Sequence, residues 1–224
     1  MKKFLFAIIF FEIFFGNSFA TAEEEKPLVA VMNFGQYDGA VTDTISVEHL
    51  GAMSADYIVQ ALVESGYFKV VGTQDLQNNP ELKNLNLSGI IAPSTAKKIS
   101  EILGIKYIIY GNVSGVSGSS TSLEIIANGA TIHTVKAKVI ARFTDAQTGE
   151  IVAVVKGGGN SKSSLVKAGT EALGYFKVGT EKISQVSVHN AVKKASYSMV
   201  EVLLERLYDL PPKKIEQLFK GKMK

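Results

Sequence analysis

The chain contains no cysteine and no tryptophan, and only three histidines and five prolines among its 224 residues. Without cysteine there can be no disulfide, no thiol nucleophile and no cysteine-ligated metal. A domain of this length can dispense with cross-links, because ordinary packing supplies enough of a core. His49, His133 and His189 lie far apart in the sequence, and none has metal-ligand spacing with an acidic partner. His49 and His189 fall near expected helix starts, in surface or capping roles. His133 comes just before a strand and is expected to be exposed. No G-x-S-x-G elbow presents a serine nucleophile. The passage Gly157-Gly158-Gly159-Asn160-Ser161-Lys162-Ser163-Ser164 resembles a phosphate loop only loosely. A P-loop places glycine directly before its lysine, and here Ser161 stands there, so the passage reads as a flexible loop. The expectation is therefore a non-enzymatic protein with no catalytic residue, no cofactor and no metal.

The chain also lacks a concentrated basic stripe, which argues against a nucleic-acid partner; its formal net charge is only +3. Removing Lys2, Lys3 and Glu12 with a leader leaves 22 basic and 20 acidic side chains. That leader is expected because Lys2 and Lys3 precede an apolar run over residues 4–15, and small residues then lead to Ala22. This is the layout of a secretory signal peptide. The run is about 12 residues, short of the ~20 needed for a permanent membrane helix. Residues 1–22 thus read as a signal peptide, giving an exported protein in the periplasm or on the periplasmic side of an outer membrane. Residues 23–210 read as one α/β domain, and 211–224 as a basic tail in which Ile215, Leu218 and Phe219 share a helical face.

Within the domain, residues 28–34 form an uninterrupted apolar run, as in a strand buried on both faces. A helix follows, in which Leu50, Met53, Tyr57, Ile58, Ala61 and Leu62 recur at three- and four-residue steps up to Gly66. Residues 67–71 make a short strand. Pro93 and Ser94 open a second helix closed by Gly104, and residues 107–110 are a third strand. Val135, Ala137, Val139, Ala141 and Phe143 alternate with Lys136, Lys138, Ile140 and Arg142, giving a strand with one buried and one wet face. A turn at 145–149, with Asp145 and Glu150 flanking it, leads to a return strand at 151–155. A long helix covers about 187–207. The fold class expected is α/β, a mixed sheet flanked by helices, with two long polar excursions at 112–134 and 156–186.

In the first excursion Leu123, Ile125 and Ala127 point one way, Asn128-Gly129 signals a tight hairpin turn, and Ile132 begins the return. The second returns through Tyr175, Phe176 and Val178. These nine residues are the candidate membrane or interaction hairpins. The competing reading makes both excursions water-exposed loops or short hairpins.

Four segments then carry a resemblance in order and spacing: Val29 to Phe34, Gly66 to Val71, Leu103 to Gly111, and Ala141 to Ile151. Together they resemble the CsgG family over residues 28–207. The resemblance implies an α/β periplasmic domain, of the kind also found in the N-terminal domain of TolB. It implies a ring of identical copies, each lending two hairpins to an outer-membrane secretion channel for curli-like export, with an exported protein as substrate. The alternative it leaves is a soluble periplasmic adaptor of the same fold that recruits a partner protein. The channel-forming members carry a lipidated cysteine after the signal peptide, which this chain lacks, and Met32-Asn33 replaces their usual acidic residue.

Overall fold

The computed structural model describes residues 25–36, 47–72, 76, 78–82, 91–123, 130–166, 175–178 and 181–222. The apolar run near the start becomes β1 (Leu28–Val31), whose Val29, Ala30 and Val31 are wholly buried because sheet neighbours and helices enclose it on every side. It pairs in parallel with β3 (Lys69–Val71) on one edge and with β4 (Tyr107–Leu123) on the other. A two-residue strand, β2 (Gly35–Gln36), also joins β4 in parallel. From β4 onward the sheet turns antiparallel, continuing through β5 (Ala130–Asp145) to β6 (Ile151–Val166) at its edge. A separate hairpin pairs β7 (Tyr175–Val178) with β8 (Glu181–Ser184). This is the α/β mixed sheet expected, flanked by four helices among the described residues.

Both faces of the β3-β1-β4 portion are covered. On one side α2 (Pro93–Leu103) lays Ala96 and Ile99 against Ala30, Met32, Ile108 and Tyr110. It ends where Gly104 takes φ 66°, a left-handed conformation that costs glycine nothing. On the other side stand α1 (Val47–Ser65), α3 (Gln185–Tyr208) and the short α4 (Pro212–Phe219). The tail is thus a packed helix: Ile215 and Phe219 are buried, and burying such side chains contributes about 2 kcal/mol each. Tyr197 ties the layer together. Its ring meets Phe219 edge-on at 5.4 Å, and its hydroxyl donates to Glu64 of α1 at 3.0 Å.

Three expectations are corrected. The strand expected to stop at residue 110 runs on to Leu123, because β5 pairs along its whole length, with one bulge at Ser114. Residues 157–164, expected as a flexible loop, belong to the continuation of β6, which pairs from Lys156 to Val166 with β5 from Ile140 to Ala130. The cause lies in packing: a Cβ on Gly157 would strike the Ala195 carbonyl and the Met199 amide. A Cβ on Gly159 would strike the Ala191 carbonyl and the Ala195 amide. Glycine is required at these two positions so that α3 can lie directly on the strand backbone. Finally His133, expected to be exposed, sits within β5 with 8% of its surface accessible. Like Val135 and Val139 it has odd parity on that strand, and it points to the helix side.

Candidate functional site

Among the described residues the lower sheet has two coats, but the ribbon formed by the far halves of β4, β5 and β6 has one. Its helix-side residues are buried: Val116 on β4, Val135, Ala137 and Val139 on β5, Gly157 and Ser161 on β6. Two strand residues rise about as far as one helical turn, so Gly157 and Gly159 fall beside successive turns at Met199–Ala195 and Ala195–Ala191. Extending the same step by one turn carries the helix to Ser187, near its start at Gln185, and the strand to Ser161, and both are buried. Beyond that level five rows of strand remain, 162–166 on β6.

Among the described residues no helix lies on the opposite face of the ribbon, and its composition differs sharply. Opposed residues across the strands form rows: Tyr110, Arg142 and Val154; Asn112, Ile140 and Lys156; Gly115, Lys138 and Gly158; Ser117, Lys136 and Asn160; Ser119, Thr134 and Lys162. Five cations therefore share one face with serine, threonine and asparagine, and the rows hold no carboxylate. Lys136, Lys138, Lys156 and Lys162 are exposed. Arg142 has one guanidinium nitrogen, Nη1, buried without a hydrogen-bond partner. None of the five forms an ion pair among the described residues. The sheet edge beside them is apolar at its base, where Ile151, Val152 and Val154 are each at least two-fifths exposed.

A family model for the curli production assembly/transport component CsgG matches residues 16–220. The chain belongs to the CsgG family. A comparison with curated proteins finds no match. Among solved structures this CsgG-family chain is similar to a putative neuraminyllactose-binding hemagglutinin homolog from Helicobacter pylori, at 12% identity. That match covers 88% of this chain and 91% of the other, with a TM-score of 0.41. It is also similar to the LpoB C-terminal domain from Escherichia coli, at 19% identity over 59% of this chain and 82% of that one, TM-score 0.37. A third is the PelC dodecamer from Paraburkholderia phytofirmans, at 7% identity over 78% of this chain and 86% of that one, TM-score 0.35. Likenesses this distant carry no argument about what the chain does.

Of the nine residues singled out from the sequence, five lie among the described residues. Leu123 is the last residue of β4 and pairs with Ala130, while Ile132 pairs with Thr121 one turn of the pleat inward. Ile125, Ala127, Asn128 and Gly129 lie outside the described residues, as does the signal peptide over 1–22. Tyr175, Phe176 and Val178 belong to β7, opposite Ser184, Ile183 and Glu181. What sequence reading missed is the cationic face. Lys136, Lys138 and Arg142 were legible as a wet strand face, but Lys156 and Lys162 join them only if the glycine run is a strand. The even spacing of Lys156, Gly158, Asn160 and Lys162 was the available signal.

Elsewhere the CsgG-family domain holds titratable groups that serve packing. His49 and His189, in the first turns of α1 and α3, approach with ring centroids 6.2 Å apart. Burial first, and the neighbouring His49 second, push the His189 pKa down. Burial and the Glu216 charge push the Glu201 pKa up. Burial and the Glu64 carboxylate hold the Tyr197 phenol far above its usual range. No group of three His, Cys, Asp or Glu able to hold a metal occurs among the described residues. A cleft of about 420 Å³ at the base of the sheet is lined by Tyr67, Phe68, Tyr107, Phe143 and Tyr208, whose rings meet at tilted angles, together with Glu25, Lys26 and Lys106.

Proposed function

We propose that this CsgG-family protein is a non-enzymatic assembly component of the cell envelope that works after export as a protein-binding module, joining copies of itself or a partner. One observation supports this reading over a lipid-crossing one. Helix α3 lies against the ribbon at Gly157 and Gly159, and Ser161 beyond them is buried, so one face of these strands is covered by protein at those levels. A strand that lines a membrane barrel needs one face for lipid and the other for the lumen, over about 9–11 residues. The five rows beyond α3 span roughly 17 Å at about 3.3 Å per residue.

The channel-subunit reading remains the second one. It is favoured by the unbroken run of β4 and β5 from the sheet to Leu123 and Ala130, and by the transport function in the matching family's description. No described helix is long and apolar enough to cross a membrane, which says nothing about strands.

Purified protein reconstituted into planar bilayers separates the two. The module reading expects no conductance, and extraction of the native protein from membranes by alkaline carbonate. Stable unitary conductance together with carbonate resistance would make it a pore subunit.

A further inference from the structure

The free edge of β6 and the cationic face beside it form one surface. We infer that this surface binds an acidic, extended segment of a partner protein by strand addition. The inference deepens the protein-binding reading above and rests on it.

The backbone argument starts at Arg206, whose Nη1 donates to the carbonyl oxygen of Val154 at 2.8 Å. That carbonyl therefore points away from β5. Backbone groups alternate along a strand, so the N–H and C=O groups of Lys156, Gly158, Asn160 and Lys162 also point outward. Among the described residues β6 pairs with β5 alone and ends the sheet. A row of donors and acceptors of this kind is a template for another strand.

Charge selects the occupant. An added strand would place alternate side chains on the open face, next to Lys156 and Lys162, with Lys136 and Lys138 one strand further in. These four are exposed, and no acidic residue lies among the rows. Arg142, with its unpartnered Nη1, marks the lower end. From Arg142 to Thr134 the surface is about 26 Å long at ~3.3 Å per residue. Carboxylates at alternate positions of the guest would meet cations along that length. A second copy pairing β6 against β6 would instead bring its own lysines onto the same face, and like charges across a strand pair repel. The lysines therefore oppose self-pairing while favouring an acidic guest. Neutral sugars are not matched, since the rows between Asn112 and Lys162 contain no aromatic ring to stack on.

The test uses the full mature chain and a fluorescent peptide of about eight residues alternating Glu with Thr. Binding by anisotropy should weaken as salt rises, and the same peptide with Lys for Glu should not bind. The Lys138→Glu, Lys156→Glu double variant should lose at least about tenfold in affinity with an unchanged melting temperature. If it melts early, Lys138→Gln with Lys156→Gln provides the same comparison. N-methylating alternate guest amides should abolish binding, because strand addition needs those donors. Equal binding of the methylated peptide, or of polyphosphate or anionic vesicles in its place with the same lysine dependence, would overturn strand addition and leave a general anion surface. No binding of the acidic peptide at low salt would overturn the inference alone. The protein-binding reading would fail separately, in the bilayer and extraction experiments.

Discussion

The β3-β1-β4 portion of the sheet and the ribbon of β4, β5 and β6 share strand β4, yet they are stabilised by opposite means. The lower portion hides large side chains between two helix layers: Met32, Ile99 and Ile108 on one side, Leu50, Ile58 and Phe143 on the other. The ribbon has few large residues to bury on β6, where Gly157 and Gly159 replace them, and holds α3 by backbone contact. The first arrangement makes a core that shows water nothing but edges. The second frees a whole face, polar and cationic, without exposing a hydrophobic interior. The difference explains how one sheet can be both scaffold and surface.

The sharpest way to break this comparison is to give the ribbon a side chain where the core would welcome one. Gly157→Val should cost about 3 kcal/mol or more, since the obstructing atoms are helix backbone and cannot rotate away. At ~2–4 °C per kcal/mol the melting temperature should fall by roughly 10 °C. Gly158→Val, one residue along, has open space on its Cβ side and should stay within about 0.5 kcal/mol. Thermal denaturation followed by circular dichroism measures both. Equal losses would mean that α3 does not lie on the ribbon.

The same difference governs what the amino-acid order reveals. β5 was legible because its lysines and valines alternate over nine residues, a pattern only a half-buried strand produces. Pro93, Gly66 and Gly104 marked helix limits through local backbone preference. Asp145 announced its turn, and its Oδ1 accepts the amides of Gln147 and Thr148 at 2.9 Å each. The upper half of β6 was not legible, because Gly-Gly-Gly-Asn-Ser has low strand propensity. Its conformation is imposed by β5 on one side and α3 above, contacts distant in sequence. His133 was misjudged for the same reason: the residues that bury it lie elsewhere in the chain. The cationic face followed the fate of β6, since two of its five charges depend on that strand's parity.

A smaller effect is expected where α1, which serves the lower sheet, meets α3, which serves the ribbon. Ser54 and Ser196 are fully buried there, their hydroxyls 3.1 Å apart. Replacing either alone by alanine leaves the other hydroxyl without its partner and should cost about 1–2 kcal/mol. Replacing both removes the pair together and should be nearly neutral. A double-mutant cycle in urea gives the coupling directly. Additive losses would show that the two helices are not joined through this contact, and that the ribbon's cover moves independently of the lower layer.

The smallest effect concerns the open end of that same seam, where His49 and His189 face each other across the first turns of α1 and α3. His189 is held below its ordinary pKa of 6.5, mainly by burial and further by His49. Above pH 6.5 the imidazole is neutral in both folded and unfolded chains, so the contribution to stability is fully present. As pH falls below 6.5 the unfolded chain takes up the proton first, and that contribution is lost until the depressed folded pKa is reached. Urea midpoints measured from pH 7.5 to 5 should therefore decline on the acid side, and His189→Gln should flatten part of the decline. Gly157 and Gly159 carry no charge, so the ribbon contact itself should not titrate. A slope unchanged by His189→Gln would place the acid sensitivity outside the seam, and so separate the fate of α3 from that of α1.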